Sequence, residues 1–357
     1  MGVARGSNED AGSQEQDPAY EGQSKTPLTT DRLGTLGAHT TCHDPLMTRP
    51  RMRSALAVVV SLAFVVADLR GEPQADAGAR ALVGTIDIHV HHLPDDRARS
   101  IDAIDVARLA SERKMRGLVL KNHYESTAGI AYLVRKMVPG IEVFGGIDLN
   151  RTVGGINPAA VEHMTRVTGG WGRFVWMPTF DAENQVRYSK ENRPFVSVAR
   201  GGKLTAEVEQ VIGLIAKHDL VLATGHSSPN EGLMLLREAR RQGVRHMVVT
   251  HAMNAPVLMN VAQMKEAASL GAMIEFVGGS LATADADERV ARFADAIKQI
   301  GAQSCVLSSD LGQQGNALPP DGFGAFLAAL RAKGLSEEDI AVMARRNPAR
   351  LLGLSDK

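Results

Sequence analysis

Asp87-Ile88-His89-Val90-His91 closes the first β-branched run of the chain. Side chains alternate across a strand, so Asp87, His89 and His91 are expected on one face, with the two imidazoles converging on one point. The same placement recurs downstream, where Lys121 with His123, His226, His251 and Asp310 fall in the last few residues of later strand-like runs. Packing gives no reason for histidines and a carboxylate to gather at strand ends. A divalent metal does, because it needs nitrogen and oxygen ligands converging from several strands.

Eight such runs occur, over residues 83–91, 116–123, 141–149, 173–179, 220–227, 246–252, 272–277 and 305–311. Between them apolar residues recur at helical spacing, as in Ile101, Ile104, Ala107 and Leu109 or Val290, Phe293, Ala294 and Ile297, giving each helix one face to lay on a sheet. Eight βα units in order predict a (β/α)8 TIM-like barrel, and the span from residue 80 onward is close to the roughly 250 residues typical of one. The alternative, an open doubly wound sheet, would bring a Gly-rich phosphate turn after its first strand. His91-His92-Leu93-Pro94 is not such a turn. In a barrel, chemistry sits at the C-terminal ends of the strands, where the ligand-type residues fall.

The first 80 residues differ in character, being rich in Gly, Ser, Thr, Asp and Gln. Within them Arg49, Arg51 and Arg53 precede an apolar run over residues 55–67, broken only by Ser61, and Ala75-Asp76-Ala77 follows. That order describes a secretory signal peptide, and the run is well short of the roughly 20 residues a membrane span needs. The expected organisation is therefore a disordered upstream extension over 1–46, a signal peptide over 47–77 with translation from Met47 or Met52, and the barrel over 80–357. Export to the periplasm or medium follows from it. The competing reading is an apolar helix in an uncleaved cytoplasmic protein.

Lysine and arginine balance aspartate and glutamate at 40 each, and no basic stretch is interleaved with aromatics, so no nucleic-acid partner and no stable membrane span are expected. Of the two cysteines, Cys42 lies in the leader and Cys305 in a strand, which leaves no disulfide framework in the core. After the fourth run, residues 180–205 show no clear periodicity and carry Arg187, Lys190, Arg193, Arg200 and Lys203 against Asp181, Glu183 and Glu191. Long connections of this kind are usually functional or disordered. One expectation is a lid whose Arg187 and Arg193 meet an anionic small-molecule substrate, the other a solvated loop with no ligand contact.

Taken together, His89-x-His91, Thr224-Gly225-His226, Thr250-His251, Ser309-Asp310 and the closing Asn347-Pro348-Ala349-Arg350-Leu351-Leu352-Gly353-Leu354 resemble the amidohydrolase superfamily of metal-dependent hydrolases. More narrowly, the single-domain form resembles an uncharacterised amidohydrolase-like family. The resemblance implies that His89, His91 and Asp310 hold a buried metal and that His226 and His251 hold a second, with Asp310 also the general base toward the water that attacks. It implies zinc first, with manganese, iron or nickel also suited to such ligands.

One departure concerns the bridge between two ions. Superfamily members commonly carry a carboxylated lysine at the end of strand four, where this chain has none, and Lys121 ends strand two instead. Lys121 would be either a carbamate bridging two ions or an ammonium. In the second case one metal is expected, on His89, His91, His226 and Asp310, with His251 orienting water. His123 and Tyr124 are expected at the substrate. The implied reaction is hydrolysis of an amide, lactone or cyclic imide. Rivals are a non-oxidative decarboxylase, a phosphoesterase of the histidinol-phosphatase type, which would need further ligands in a seven-unit barrel, and a binding protein on an inactive barrel.

Overall fold

Each of the eight runs forms a strand: β1 (Ile86–Val90), β2 (Gly117–Leu120), β3 (Glu142–Asp148), β4 (Gly172–Trp176), β5 (Val221–Ala223), β6 (His246–Val249), β7 (Met273–Val277) and β8 (Cys305–Ser308). The structure, a computed structural model, describes residues 80–355, so the expected extension and signal peptide lie outside the described residues. Neighbouring strands pair in parallel in chain order. The sheet closes where the end of β1 meets the segment after β8: His91 N donates to Leu311 O at 2.9 Å and Asp310 N to His89 O at 3.0 Å. The result is a (β/α)8 barrel, with helices between the strands. No described helix is long and apolar enough to cross a membrane.

Two apolar layers follow from strand alternation. Val90, Leu118, Leu120 and Val143 face the helices, whereas Ile86, Ile88, Val119, Phe144, Phe174 and Trp176 fill the lumen. The helix Ala286–Ile300 buries Val290, Phe293, Ala294 and Ile297 as its spacing predicts. In Ala103–Glu112 the buried face is instead Ala103, Val106, Ala107 and Ala110, because small residues let that helix lie close to the sheet. The closing segment plugs one end: Ala349, Leu351 and Leu352 pack beneath the lumen, and Asn347 Nδ2 donates to Cys305 O at 2.6 Å. Ligand access is left to the opposite end.

Strand β1 corrects one expectation. Ile86 and Ile88 both face the lumen but Val90 faces outward, and the register with β2 shifts between Asp87 and Val90. An irregularity of this kind inserts a residue and reverses the side-chain parity beyond it. His89 and His91 thus face the mouth while Asp87 points to the other side. Its Oδ1 accepts from His89 N at 3.1 Å and Ser309 N at 3.0 Å, clamping the backbones of β1 and β8 rather than holding an imidazole. Burial raises its pKa to about 7.

Residues 180–205 are more ordered than their pattern suggests. They contain a helix, Glu183–Tyr188, and an antiparallel pair, Ala199–Arg200 with Lys203–Leu204. Each piece is too short to show a period.

Gly225 in Thr224-Gly225-His226 is a backbone requirement: its φ is +60°, and a Cβ there would stand 2.1 Å from Met177 O. Gly225→Ala combines a left-handed conformation with a backbone clash and should destabilise the fold by about 2 kcal/mol or more. Chemical denaturation checks this, and an unchanged midpoint would show that the strand end yields freely.

Candidate metal centre

Five imidazoles form a closed ring at the barrel mouth. Centroid separations are 5.3 Å for His89–His91, 4.8 Å for His91–His123, 6.5 Å for His123–His226, 4.8 Å for His226–His251 and 6.1 Å for His251–His89. All five are buried. Asp310 reaches among them, its Oδ1 lying 3.2 Å from His89 Nε2 and 3.1 Å from His91 Nε2. The ligand atoms of His89, His91 and Asp310 lie within 4.8 Å of one another, a spacing that could hold a metal ion.

The outer nitrogens decide which tautomers these rings adopt. His91 Nδ1 faces Lys121 O at 2.8 Å, His89 Nδ1 faces Glu275 Oε1 at 3.1 Å, and His226 Nδ1 faces Gln185 Oε1 at 2.8 Å. A carbonyl or carboxylate can only accept, so each Nδ1 carries the proton and each Nε2 is left as a lone pair aimed inward. Two such lone pairs then meet a carboxylate oxygen with no donor between them. Acceptors in this arrangement repel one another unless a cation sits among them, which is the fit a metal requires.

Electrostatics show the same demand for positive charge, which falls on His89 when no ion supplies it. Burial works against charge on His89, but the carboxylates of Asp310 and Glu275 outweigh it and raise its pKa. Burial likewise opposes ionisation of Asp310, yet His89 and His91 hold its carboxyl well below the usual range. The other imidazoles are kept neutral by burial: His91 is lowered to about 3, His123 and His226 lie well below their ordinary value, and His251 is lowered.

Two of the expected ligands hold unusual backbone. His251 has φ +27° and Asp310 φ +51°, conformations that non-glycine residues enter at roughly 1–3 kcal/mol and keep only where the surroundings fix them. The fixing bond for His251 is its amide, which donates to Glu275 Oε2 at 2.8 Å. Asp310 is held by its amide on His89 O, as above. His251 Nδ1 is buried with no hydrogen-bond partner among the described residues.

Lys121 lies in the wall beside this ring. Its Nζ stands 2.9 Å from Asp148 Oδ2 with both side chains fully buried, and 5.4 Å from the Trp176 ring centroid. Thr179 Oγ1 donates to the same Asp148 oxygen at 3.1 Å and receives His123 Nδ1 at 2.9 Å. Asn150 completes the wall, donating to His123 O at 2.6 Å and accepting from the amides of Thr179 and Asp181 at 2.9 and 3.0 Å.

Sequence reasoning missed Glu275, Asp148 and Asn150. Glu275 had a signal, being a lone carboxylate within Met273-Ile274-Glu275-Phe276-Val277, where an unpaired charge could not be buried.

Of the expected substrate residues, His123 joins the ring and Tyr124 stands beside it, with centroids 6.3 Å apart. Arg187 and Arg193 do not reach the ring. Arg187 pairs with Glu183 at 2.7 Å, and Arg193 binds Asp181 Oδ1 at 2.7 Å and Phe180 O at 2.6 Å, so both tie the 180–205 segment to itself. The cation near the mouth is Arg97: it donates to Tyr124 Oη at 2.9 Å and lies 4.3 Å from the Phe180 ring centroid. Phe180 in turn packs on His123 at 4.1 Å and His226 at 5.7 Å.

A model for a family of unknown function (DUF6282) matches residues 84–275, over half of the chain. No curated protein matches the sequence. Among solved structures, an amidohydrolase from Burkholderia multivorans with bound zinc is similar at 14% identity and a TM-score of 0.56, covering 76% of this chain and 99% of that one. An amidohydrolase from Pseudomonas aeruginosa is similar at 12% identity and 0.54, covering 78% and 98%. The phosphotriesterase homology protein of Escherichia coli, with phosphate in its active site, is similar at 17% and 0.51, covering 75% and 98%. These likenesses establish the (β/α)8 barrel fold.

The neutral imidazoles give a pH dependence with a definite sign. Unfolded histidines take up protons below about 6.5, while His91, His123, His226 and His251 in the folded protein do so only at lower pH, His91 near 3. The unfolded state therefore binds more protons in that window, and stability falls as pH drops through it. His89, with its raised pKa, works in the opposite direction. For chelator-treated protein the unfolding midpoint should fall between pH 7 and pH 5, and a flat profile would contradict the assignment.

Proposed function

The chain belongs to the family of unknown function DUF6282, and we propose that it is a metal-dependent hydrolase cleaving a C–N or C–O bond of a small anionic molecule, such as an amide, lactone or cyclic imide. The observation that carries this reading is the convergence of His89 Nε2, His91 Nε2 and Asp310 Oδ1, with the outer nitrogen of each imidazole already engaged. A divalent ion held there supplies Lewis acidity toward a carbonyl and brings the pKa of water toward neutrality.

The remaining steps belong to side chains. Asp310, a half-buried carboxylate at the ring, accepts the proton of the attacking water. Glu275 fixes His89, and through its bond to His251 N it sets where that imidazole stands. Arg97 and Tyr124 receive the anionic end of the substrate, with Phe180 as an apolar wall that excludes bulk water.

One ion is favoured over two. Around the ring the carboxylates of Asp310, Glu275 and Asp148 face one ammonium, Lys121, leaving two negative charges for a divalent ion to balance. A carbamate on Lys121 would set its negative charge against Asp148, at the position where the ammonium now lies 2.9 Å away. Zinc suits the ligand set best, with manganese, iron or nickel as candidates.

Purified protein should carry about one equivalent of metal per chain, as the charge balance requires, and two equivalents with a carbamate signal on Lys121 would overturn the single-ion reading. Amides, lactones, cyclic imides and aromatic carboxylates screened with added metal should show hydrolysis. Carbon dioxide release in the same screen would identify the decarboxylase rival. With a substrate in hand, Asp310→Asn at full metal occupancy should lower turnover by about a hundredfold or more, and turnover near wild type would remove Asp310 as the base.

A further inference from the structure

A second cavity, of about 620 Å³, opens between the segment after β3 and residues 195–207, and its wall includes Arg151, Arg200, Lys203, Glu207, Gly155 and Phe195. Most arginines among the described residues are matched, for example Arg113 with Asp321, Arg135 with Glu142, Arg193 with Asp181 and Arg237 with Glu266. Arg151, Arg200 and Lys203 have side chains with no ion pair or hydrogen bond among the described residues. Glu207 is the one carboxylate in the cavity wall, and Arg200 also acts at longer range on Glu183 outside it. Three unmatched cations around one concavity repel each other and raise the local concentration of anions. Phe195, 41% exposed, adds an apolar surface at the same wall.

We propose that this cavity binds a small polyanion, a molecule bearing two or more phosphate or carboxylate charges, at a site separate from the histidine ring. The segments that line it also run to that ring. Arg151 follows Asn150, which holds His123 O, and Val196 N donates to Asp181 O at 2.7 Å. Ser197 Oγ donates to Glu183 Oε2 at 2.7 Å, on the helix whose Gln185 receives His226 Nδ1. A polyanion here therefore braces the segment that carries Phe180 and Gln185. The site stands on its own charges and does not depend on the hydrolase reading.

Calorimetric titration of the full chain, after chelator treatment, with pyrophosphate and separately with tricarballylate tests this. Binding should be retained in His91→Asn and should weaken tenfold or more in the Arg200→Glu, Lys203→Glu double variant. Both positions are exposed, and circular dichroism confirms that the variant is folded. Equal charge reversal at Lys136 and Lys265, exposed on distant helices, should leave affinity unchanged. Whichever probe binds tighter identifies phosphate or carboxylate chemistry, and either result supports the site. No binding of either probe, unchanged affinity in the double variant, equal weakening by the distant reversals, or loss in His91→Asn would overturn it.

Discussion

The buried carboxylate of Glu275 is the constraint on which the site depends. It accepts Ser308 Oγ at 2.6 Å, His89 Nδ1 at 3.1 Å and His251 N at 2.8 Å, so one side chain on β7 ties the ends of β1, β6 and β8. A charge taken out of water must be paired and fully hydrogen-bonded or it destabilises the fold by several kcal/mol, on the order of the whole margin of stability. That demand fixes the surroundings. His89 can only present Nε2 to the mouth, and His251 is drawn into a left-handed backbone that it would not otherwise adopt.

Strain at His251 and Asp310 is thus a consequence of closure. Where β1 meets the segment after β8, the chain must satisfy amides across a parallel seam and at the same time turn side chains inward. Asp87 accepts two of those amides, from His89 and Ser309, and Asp310 N donates to His89 O. The ligand positions are consequently set by backbone hydrogen bonds more than by side-chain packing. Such a base resists relaxation when charge is brought into the ring, which is the preorganisation that electrostatic catalysis needs.

Much of this was legible in the residues. Runs rich in β-branched and apolar side chains marked all eight strands, because most of their residues are buried on both faces and polar interruptions such as Asp87, Arg173 and Glu275 are few. The ligand-type residues at the strand ends were visible for the same reason. What escaped depends on contacts between distant positions. Parity in β1 fails at an irregularity that no local pattern marks, so Asp87 was grouped with His89 although it faces away. Asp148 and Asn150 are ordinary residues in sequence and acquire meaning only beside Lys121 and His123. Arg187 and Arg193 looked available because their partners, Glu183 and Asp181, are brought to them by a helix and hairpin too short to show a period. Arg97 owes its place at the mouth to Phe180, which lies beneath it.

Lys121 shows how one missing partner changes a chemical reading. From sequence, a lysine among metal ligands is either neutralised by carboxylation or excluded by repulsion, and the two possibilities imply different metal counts. Asp148 supplies a third solution: the ammonium is retained and neutralised by a carboxylate, in a lumen floored by Phe174 and Trp176. In that apolar setting the pair interacts far more strongly than it would in water, and separating it would leave either charge uncompensated. Because Thr179 donates to the same carboxylate and receives His123 Nδ1, the pair also steadies the imidazole that stands opposite His251 in the ring. The buried pair thus sets the charge of the wall beside the ring without entering it, and the proposal of a single divalent ion rests on that balance.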